Sequence, residues 1–384
     1  MDEKIVSVAS AMKMAIIEAR KGAPFVSPNP VVGCVILDSS GKLLSQGHHE
    51  KYGGPHAEIS ALKNLNPEQL KGAHVVVTLE PCAHEGRTGS CAMALAKLPI
   101  SKVTYGIVDP NPLVSGKGAA ILNQAGIETK SFADSLNNPN SDDQKLLEDL
   151  EELCEIFLTN FRHQRIFVSL KVATSLDGAI ALKSGDSQWI TGKESRSHGH
   201  YLRGTHDLTL VGVETVLKDN PTLNVRDQSF TKENKVGILD SKGRTLNEVK
   251  TLNIFKTHKP ENIYVFVKSN FKSAGNSDSP IQLVEVKSQD EKLVWKDLFQ
   301  QLWAKGVRSV LIEGGARTAS SVLKAGMVDR LHLFQAPTLL GQKGSKLWNQ
   351  DLELTSMKNK LDLYPIKITQ LGSDLYITGR LKRD

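Results

Sequence analysis

The sequence predicts an α/β protein built from two domains. The chain has 384 residues, which is long enough for two domains. Up to about residue 132, strand-like apolar runs alternate with helical patterns, which predicts a three-layer α/β/α domain. Beyond a polar, turn-rich stretch, a second series of strands and helices begins near residue 166. We therefore expect a first domain at 1–145, a connecting helix at 146–165 and a second domain at 166–384.

Composition narrows the class of protein. The hydrophobic fraction of 40% supports real cores, whereas 5% aromatic residues give no sign of a base-stacking surface. The net charge of +6 is spread without the basic block of a nucleic-acid-binding tail. No apolar run approaches the ~20 residues of a membrane span, and the N-terminus lacks a secretory signal pattern. We expect a cytoplasmic protein with neither a nucleic-acid partner nor a membrane partner.

The elements of the first domain follow from apolar periodicity and turn residues. Two of the four cysteines, Cys34 and Cys154, lie in a strand-like and a helix-like run, and we interpret both as core residues. The predicted elements are a helix over 5–20, strands at 31–37 and 42–46, a buried strand at 74–80, a strand from 102, a helix from 116 to 126 and an edge strand near 127.

Three residues have the pattern of a catalytic zinc site. His56 opens a helical stretch, Cys82 follows the buried strand, and Cys91 opens another helical stretch. One imidazole and two thiolates leave the fourth position of a tetrahedral Zn²⁺ open for water. Glu58, two residues after His56, is placed to carry protons between that water and a substrate nitrogen. The alternative is two buried reduced cysteines and a surface histidine.

The segment between the two cysteines resembles one known family. It reads Ala83-His84-Glu85-Gly86-Arg87-Thr88-Gly89-Ser90, in place of the short C-x-x-C of most base deaminases. Together with Ser27-Pro28-Asn29-Pro30 upstream, it resembles the deaminase half of the bacterial RibD (RibG) family of riboflavin biosynthesis. That family usually has T-P-P-C where this chain has Thr88 to Cys91, so we expect a less pre-organised loop here.

The resemblance implies a cytidine-deaminase-like domain and a set of substrate contacts. Simpler interpretations stay open, because Asp-Pro-Asn-Pro and Pro-Asn-Pro are good turn sequences and an arginine is often only a surface charge. The residues that match substrate contacts of the family are Asn29, His49, Arg87, Asp109 and Asn111.

The second domain carries further motifs of the same family. They are Ser175-Leu176-Asp177-Gly178, Ser187-Gln188-Trp189-Ile190-Thr191, a run from 215 to 226, and Glu313-Gly314-Gly315 between a strand and a helix. The resemblance implies a dihydrofolate-reductase-like domain that uses NADPH, and no complete G-x-G-x-x-G indicates a Rossmann site instead.

The resemblance also assigns roles in this domain. Beyond the resemblance, Lys171 and Asp219 are our candidates for charge handling near the reacting centre, and the alternative for Lys171 is a solvated strand end. The alternative for Trp189 is core packing. Residues that match substrate contacts are Ser187, Arg203, Leu223, Arg226 and Glu313, and those that match cofactor contacts are Ala173, Trp189, Thr215, Asp219, Ser241 and Gly315.

The implied function is a bifunctional enzyme of riboflavin biosynthesis. A zinc-dependent deaminase removes ammonia from a phosphorylated diaminopyrimidinone, and an NADPH-dependent reductase then converts the ribosyl group to ribityl. We also expect a homo-oligomer. Two alternatives stay open at this point: a nucleic-acid base deaminase with an accessory domain, and a binding or regulatory module that keeps the fold without the chemistry.

Overall fold

The computed structural model describes residues 5–83, 89–111, 115–136, 138–226, 230–271, 281–341, 343 and 345–381. The chain divides into two compact units, Met1–Gln164 and Arg165–Asp384. Each unit has its own sheet and its own apolar core.

The first unit alternates helices and strands as its apolar pattern predicts. Its elements in chain order are α1 (Val8–Arg20), β1 (Gly33–Leu37), β2 (Leu43–His48), α2 (Ala57–Leu62), β3 (His74–Leu79), α3 (Cys91–Leu95), β4 (Lys102–Ile107), α4 (Lys117–Gln124), β5 (Glu128–Ser131), α5 (Ser141–Leu153) and α6 (Glu155–His163).

The sheet of the first unit lies between two helical layers. Its strand order is β2-β1-β3-β4-β5, with β3, β4 and β5 parallel and β1 antiparallel to both neighbours. Helices α2, α3 and α4 bury residues such as Leu95 and Leu122 on one face. Helices α1 and α5 bury Met12 and Leu150 on the other. The parallel strands β3 and β4 have their carboxyl ends on the same side of the sheet. Site residues of α/β folds collect at such strand ends.

The helix near the end of the first unit begins earlier than the sequence pattern predicts. Asn140 accepts hydrogen bonds from the backbone N–H groups of Asp142 and Asp143, while Asp143 accepts one from Asn140. This capping box starts α5 at Ser141. The segment 146–165, expected to connect the domains, contains the end of α5 and all of α6, and its Leu150 packs in the core of the first unit.

The second unit has more strands. Its elements are β6 (Phe167–Thr174), β7 (Ala179–Ala181), α7 (Lys193–Thr205), β8 (Leu208–Gly212), α8 (Val213–Asp219), β9 (Lys235–Leu239), α9 (Asn253–Thr257), β10 (Ile263–Lys268), β11 (Gln282–Val286), β12 (Ser288–Gln289), β13 (Lys292–Leu293), α10 (Trp295–Ala304), β14 (Ser309–Ile312), α11 (Ala316–Lys324), β15 (Arg330–Gln335), β16 (Lys346–Leu347), β17 (Leu363–Leu371) and β18 (Asp374–Leu381).

Nine of these strands form one sheet in the order β11-β10-β9-β8-β14-β6-β15-β18-β17. The strands from β11 to β15 are parallel, and β18 runs antiparallel to both β15 and β17. Helices α10 and α11 share one core with the central strands, and α7 packs Leu202 against Leu311 and Phe334. Across the described ranges, no helix has the length and apolarity that crossing a bilayer requires.

Candidate functional site

Three elements of the first unit bring the predicted zinc ligands together. His56 is the residue before α2, Cys82 follows β3, and Cys91 is the first residue of α3. The Sγ atoms of Cys82 and Cys91 lie 3.5 Å and 3.3 Å from Nδ1 of His56. All three potential ligand atoms lie within 4.8 Å of one another.

These separations fit a tetrahedral zinc ion. Zinc bonds of about 2.3 Å to sulfur and about 2.0 Å to nitrogen, at a tetrahedral angle, place sulfur and nitrogen about 3.5 Å apart. The observed 3.5 Å and 3.3 Å are close to that value. The pairing of two thiols with one imidazole is also a donor set that zinc prefers. With three protein ligands, the fourth position is available to water.

Hydrogen bonding prepares Cys82 to bind a cation. Its sulfur accepts hydrogen bonds from the Cys91 thiol, from His56 and from the backbone N–H of Cys91. These bonds outweigh burial and lower the pKa of Cys82 to about 4. The hydrogen bond between His56 and Cys82 raises the pKa of His56. The hydrogen bond between Cys91 and Cys82 raises the pKa of Cys91. The thiols therefore behave as one coupled pair, as expected for adjacent metal ligands.

Ser90 ties the two cysteine ligands together. Its hydroxyl donates to the carbonyl of Cys82 at 2.8 Å and accepts from the backbone N–H of Met93 at 3.2 Å, which caps α3. Serine is a strong N-cap residue. These hydrogen bonds therefore fix Ser90 directly before the ligand Cys91. The expectation of a less pre-organised loop stays a prediction, because residues 84–88 lie outside the described residues.

Glu58 lies in the first turn of α2, beside the ligands. Only 3% of the residue is exposed, and its carboxyl group is hydrogen-bonded to its own backbone N–H and to the Cys91 thiol. Burial, the largest effect, raises the pKa of Glu58 to about 7. A carboxyl with that pKa can both accept and donate a proton near neutral pH, which general acid–base catalysis requires.

Asn29 and His49 form a hydrogen-bonded pair close to the zinc ligands. Nδ1 of His49 donates to the carbonyl of Pro55 at 2.9 Å, so Nε2 accepts from Nδ2 of Asn29 at 3.1 Å. Burial lowers the pKa of His49, which keeps the ring neutral. The rings of His49 and His56 lie 5.4 Å apart, edge to face. Because Nδ2 of Asn29 is engaged by His49, the amide orientation of Asn29 is determined.

Asp109 and Asn111 lie in the loop after β4. Asp109 is buried, and its Oδ1 accepts from the backbone N–H of Asn111 at 2.8 Å. Since β3 and β4 are parallel neighbours, this loop lies at the same sheet edge as Cys82. Arg87, the fifth predicted substrate residue of this unit, lies outside the described residues.

A cavity of about 1150 Å³ in the second unit collects much of the predicted cofactor set. Thr215, Asp219, Ser241 and Gly315 line it, as does Ser187 of the predicted substrate set. Gly315 precedes α11, a helix of nine residues, and a Cβ added there would meet open space. Backbone N–H groups at such a helix start suit phosphate, so the site fits a phosphorylated dinucleotide such as NADPH.

Cationic side chains that were not predicted from the sequence also line this cavity. They come from separate elements and share no motif, so their convergence becomes visible only in the fold. Individual cations at such positions can pair with the phosphates of a dinucleotide. Five carboxylates also line the cavity, and two of them, Glu214 and Glu353, pair with Arg244 and Lys324. The cations that line the cavity are Lys218, Arg244, Lys292, Arg317, Lys324 and Lys346.

Lys171, Arg203 and Glu313 form a buried ion cluster. Arg203 donates to both carboxylate oxygens of Glu313, at 2.5 Å and 3.0 Å, and Nζ of Lys171 lies 3.8 Å from Glu313. Burial opposes ionisation of Glu313, but the charges of Arg203 and Lys171 prevail and lower its pKa to about 2. Burial also lowers the pKa of Lys171. Lys171 lies on strand β6 and is paired with Glu313, so it is not a solvated strand end.

The remaining predicted residues of the second unit lie apart from the cavity lining. Leu223 is buried with φ of +52°, a backbone conformation uncommon for leucine, and Arg226 nearby is exposed. Trp189 is 71% exposed, with Arg196 over its ring at 4.7 Å, so it is not a core residue. Neither Trp189 nor Ala173 is among the described residues that line the cavity.

Comparison with known proteins agrees with both sites. Residues 166–377 match the family described as RibD C-terminal domain, and residues 7–107 match the cytidine and deoxycytidylate deaminase zinc-binding region. The riboflavin biosynthesis protein RibD of Aquifex aeolicus is 37% identical over 95% of this chain and 96% of its own length. The chain belongs to the RibD family. Its two units are therefore the deaminase and the reductase of a bifunctional enzyme of riboflavin biosynthesis.

Solved structures of RibD family members have the same fold. RibD of Acinetobacter baumannii, form 1, superposes with a TM-score of 0.80 at 34% identity and covers 98% of this chain and 99% of its own. A deaminase/reductase from Thermotoga maritima gives a TM-score of 0.80 at 32% identity, and the match covers 98% of this chain and 99% of its own. The predicted fold class, the bifunctional activity and the cofactors Zn²⁺ and NADPH of this RibD family member are confirmed.

Proposed function

We propose that the first unit deaminates 2,5-diamino-6-ribosylamino-4(3H)-pyrimidinone 5′-phosphate. The second unit then reduces the ribosyl side chain with NADPH to give 5-amino-6-ribitylamino-uracil 5′-phosphate. The observation that carries this proposal is the group His56, Cys82 and Cys91 with the buried carboxyl of Glu58 beside it. The Thermotoga maritima relative is named as a diaminohydroxyphosphoribosylaminopyrimidine deaminase and 5-amino-6-(5-phosphoribosylamino)uracil reductase.

Glu58 is the proton carrier of the deamination. Zinc, when bound by the three side chains, supplies a Lewis acid that brings the pKa of water towards ~7. Glu58 accepts the proton that the attacking water loses and passes it to the ring nitrogen. It next takes the remaining proton of the hydroxyl added to the ring carbon and delivers it to the amine, which leaves as ammonia while the oxygen stays on that carbon as a carbonyl.

The polar residues around Glu58 hold the pyrimidine. Asn29, fixed by His49, presents its Oδ1 as an acceptor, because its Nδ2 donates to the histidine ring. Asp109 and Asn111 present polar groups from the loop after β4. A site that hydrogen-bonds the exocyclic groups of its substrate rejects bases that lack them. We assign Arg87 to the same substrate on the family resemblance.

In the second unit, the chain positions the sugar against the nicotinamide. NADPH, when bound, would supply a hydride to C1′ of the ring-opened imine form of the ribosyl group, and the imine nitrogen would take up a proton from water. We assign the substrate to Ser187, Arg203, Leu223, Arg226 and Glu313, with Arg226 suited to its phosphate. We assign charge handling at the reacting centre to Lys171 and Asp219. The cofactor is assigned to Ala173, Trp189, Thr215, Asp219, Ser241 and Gly315.

The test of the deaminase assignment is Glu58→Gln. We expect the variant to keep its zinc, measured by elemental analysis, and to lose release of ammonia from the diaminopyrimidinone phosphate. Its reductase should still consume NADPH when supplied directly with the aminouracil phosphate. Glu128→Gln, in the exposed edge strand β5 of the same unit, is the control and should deaminate like the natural protein.

Two results would contradict the assignment. Full deamination by Glu58→Gln would remove Glu58 from the mechanism. Deamination of RNA by the natural protein, with no activity on the pyrimidine phosphate, would instead identify a nucleic-acid base deaminase.

We further propose that the protein is a homo-oligomer that associates through β17. This strand is the edge of the nine-stranded sheet, and Tyr364, Ile366 and Ile368 on it are 64%, 55% and 62% exposed. An apolar edge strand of this kind favours pairing with a second copy. Ile366→Lys combined with Ile368→Lys should lower the mass measured by light scattering, whereas Leu339→Lys should not. An unchanged mass in the double variant would refute this interface.

A cytoplasmic location completes the proposal. All four cysteines are free thiols, and zinc binding by Cys82 and Cys91 requires them to stay reduced, as they do in the cytoplasm. Cell fractionation tests this location, and recovery of the protein outside the cytoplasmic fraction would contradict it.

A further inference from the structure

Glu80 is a buried carboxylate that the proposed reaction does not use. It follows β3 directly and lies two residues before Cys82. Only 3% of the residue is exposed. A buried carboxylate needs partners that offset its desolvation, and the partners of Glu80 show what it holds.

Three backbone N–H groups donate to Glu80 from two separate segments. Oε2 accepts from Asp109 at 3.3 Å and from Gly116 at 3.0 Å, while Oε1 accepts from Ala119 at 3.2 Å. Asp109 lies two residues after the end of β4. The other two donors, Gly116 and Ala119, belong to the start of α4. One side chain therefore joins the ends of β3 and β4 to the first turn of α4.

This junction lies between two parts of the deaminase site. On one side, the chain continues from Glu80 through Pro81 to the ligand Cys82, and Gly118 packs so closely on the Pro81 carbonyl that a Cβ would overlap it. On the other side is the loop of Asp109 and Asn111, whose own shape is maintained by the bond between them.

We propose that Glu80 is a positioning residue for deamination. This proposal rests on the proposed function. Glu80 fixes the position of the loop of Asp109 and Asn111 relative to the zinc ligands. The loop then presents its polar groups to the pyrimidine beside the three residues that would hold zinc. The carboxylate suits this task because both of its oxygens accept hydrogen bonds, whereas an amide would point two N–H donors at backbone N–H groups.

The test separates positioning from folding through a split between KM and kcat. In Glu80→Gln, we expect the KM for the diaminopyrimidinone phosphate to rise at least tenfold, with zinc content unchanged. NADPH oxidation by the same preparation, assayed with the aminouracil phosphate, should keep its rate because it belongs to the other unit. Leu70→Ala, which removes a buried core side chain of the first unit, is the control for loss of stability alone.

A second variant covers the case in which Glu80→Gln does not fold. Ala119→Pro removes one of the three N–H donors and leaves the carboxylate in place, and proline is tolerated in the first turn of a helix. It should raise the same KM by a smaller factor, with zinc retained.

Three outcomes would overturn the proposal. The first is an unchanged KM in a folded Glu80→Gln variant, and the second is a loss of zinc from that variant. The third is a rise of KM in Leu70→Ala equal to that in Glu80→Gln, when the two variants have the same melting temperature. Failure of the natural protein to deaminate the pyrimidine would refute the proposed function instead, before any variant is compared.

Discussion

Removing the charge of Glu313 should destabilise the second unit by an amount that the structure predicts. The variant Glu313→Gln leaves Arg203 and Lys171 as buried cations without their carboxylate partner. The pKa of Glu313 is lowered from 4.5 to about 2, and each pH unit of such a difference corresponds to about 1.4 kcal/mol. At neutral pH, ionisation of Glu313 therefore makes folding about 3 kcal/mol more favourable than it would be with the protonated side chain. Truncating one partner of a buried pair typically costs about 3–5 kcal/mol.

The direction of the pH dependence follows from the lowered pKa. A carboxylate whose pKa is lower in the folded state stabilises the protein fully above its unfolded pKa near 4.5. That stabilisation is lost as the pH falls towards 2. The difference in stability between the natural protein and Glu313→Gln should therefore be about 3 kcal/mol at pH 7 and should narrow steadily below pH 4.5.

Tryptophan fluorescence is the assay, because all four tryptophans belong to the second unit. They are Trp189, Trp295, Trp303 and Trp348, so urea unfolding followed by fluorescence reports on this unit alone. Glu233→Gln is the matched control: Glu233 pairs with Lys259 at the surface, and loss of an exposed pair costs about 1 kcal/mol or less. A variant at Glu313 within 1 kcal/mol of the natural protein at pH 7, or a difference independent of pH, would refute the reasoning.

Three further predictions follow from the same contacts. Cys91→Ser should lower zinc content at least tenfold and abolish deamination while reduction continues, and retained zinc measured by elemental analysis would contradict the ligand assignment. Lys171→Met should abolish NADPH oxidation without changing ammonia release, and unchanged oxidation would exclude a role in hydride transfer. Leu150→Ala should cost the first unit about 2–5 kcal/mol, since Leu150 is fully buried against Gly106; hydrogen exchange in β4 measures this loss, and unchanged protection there would contradict it.

The zinc ligands were predictable because each lies at a recognisable element boundary. His56, Cys82 and Cys91 precede or follow elements whose apolar patterns are clear, and their residue types are typical of zinc. The contribution of Ser90 was harder to foresee, because it depends on a hydrogen bond to a carbonyl eight residues away. The sequence signal that could have indicated this role is a serine directly before a helical stretch, which is a typical N-cap.

Long-range partners could not be derived from local patterns. Arg203 and Glu313 are 110 residues apart, and each alone reads as an ordinary charged residue. Likewise, Glu80 meets its donors only because β3 and β4 are neighbours in the sheet. The left-handed backbone of Leu223 is stabilised from outside its segment, by a hydrogen bond from Asn234 to its carbonyl. Tertiary context determines all three, and periodicity carries no information about it.

The position of β14 has a consequence for the order in which the two units fold during synthesis. This strand lies between β8 and β6, which precede it by about a hundred residues or more. The deaminase unit can bury its core once α6 has left the ribosome, while most of the reductase sequence is still to be translated. The reductase sheet cannot join β8 to β6 before β14, which ends at Ile312, has been synthesised. A ribosome stalled before that point should therefore carry a folded, zinc-binding deaminase and an incomplete reductase.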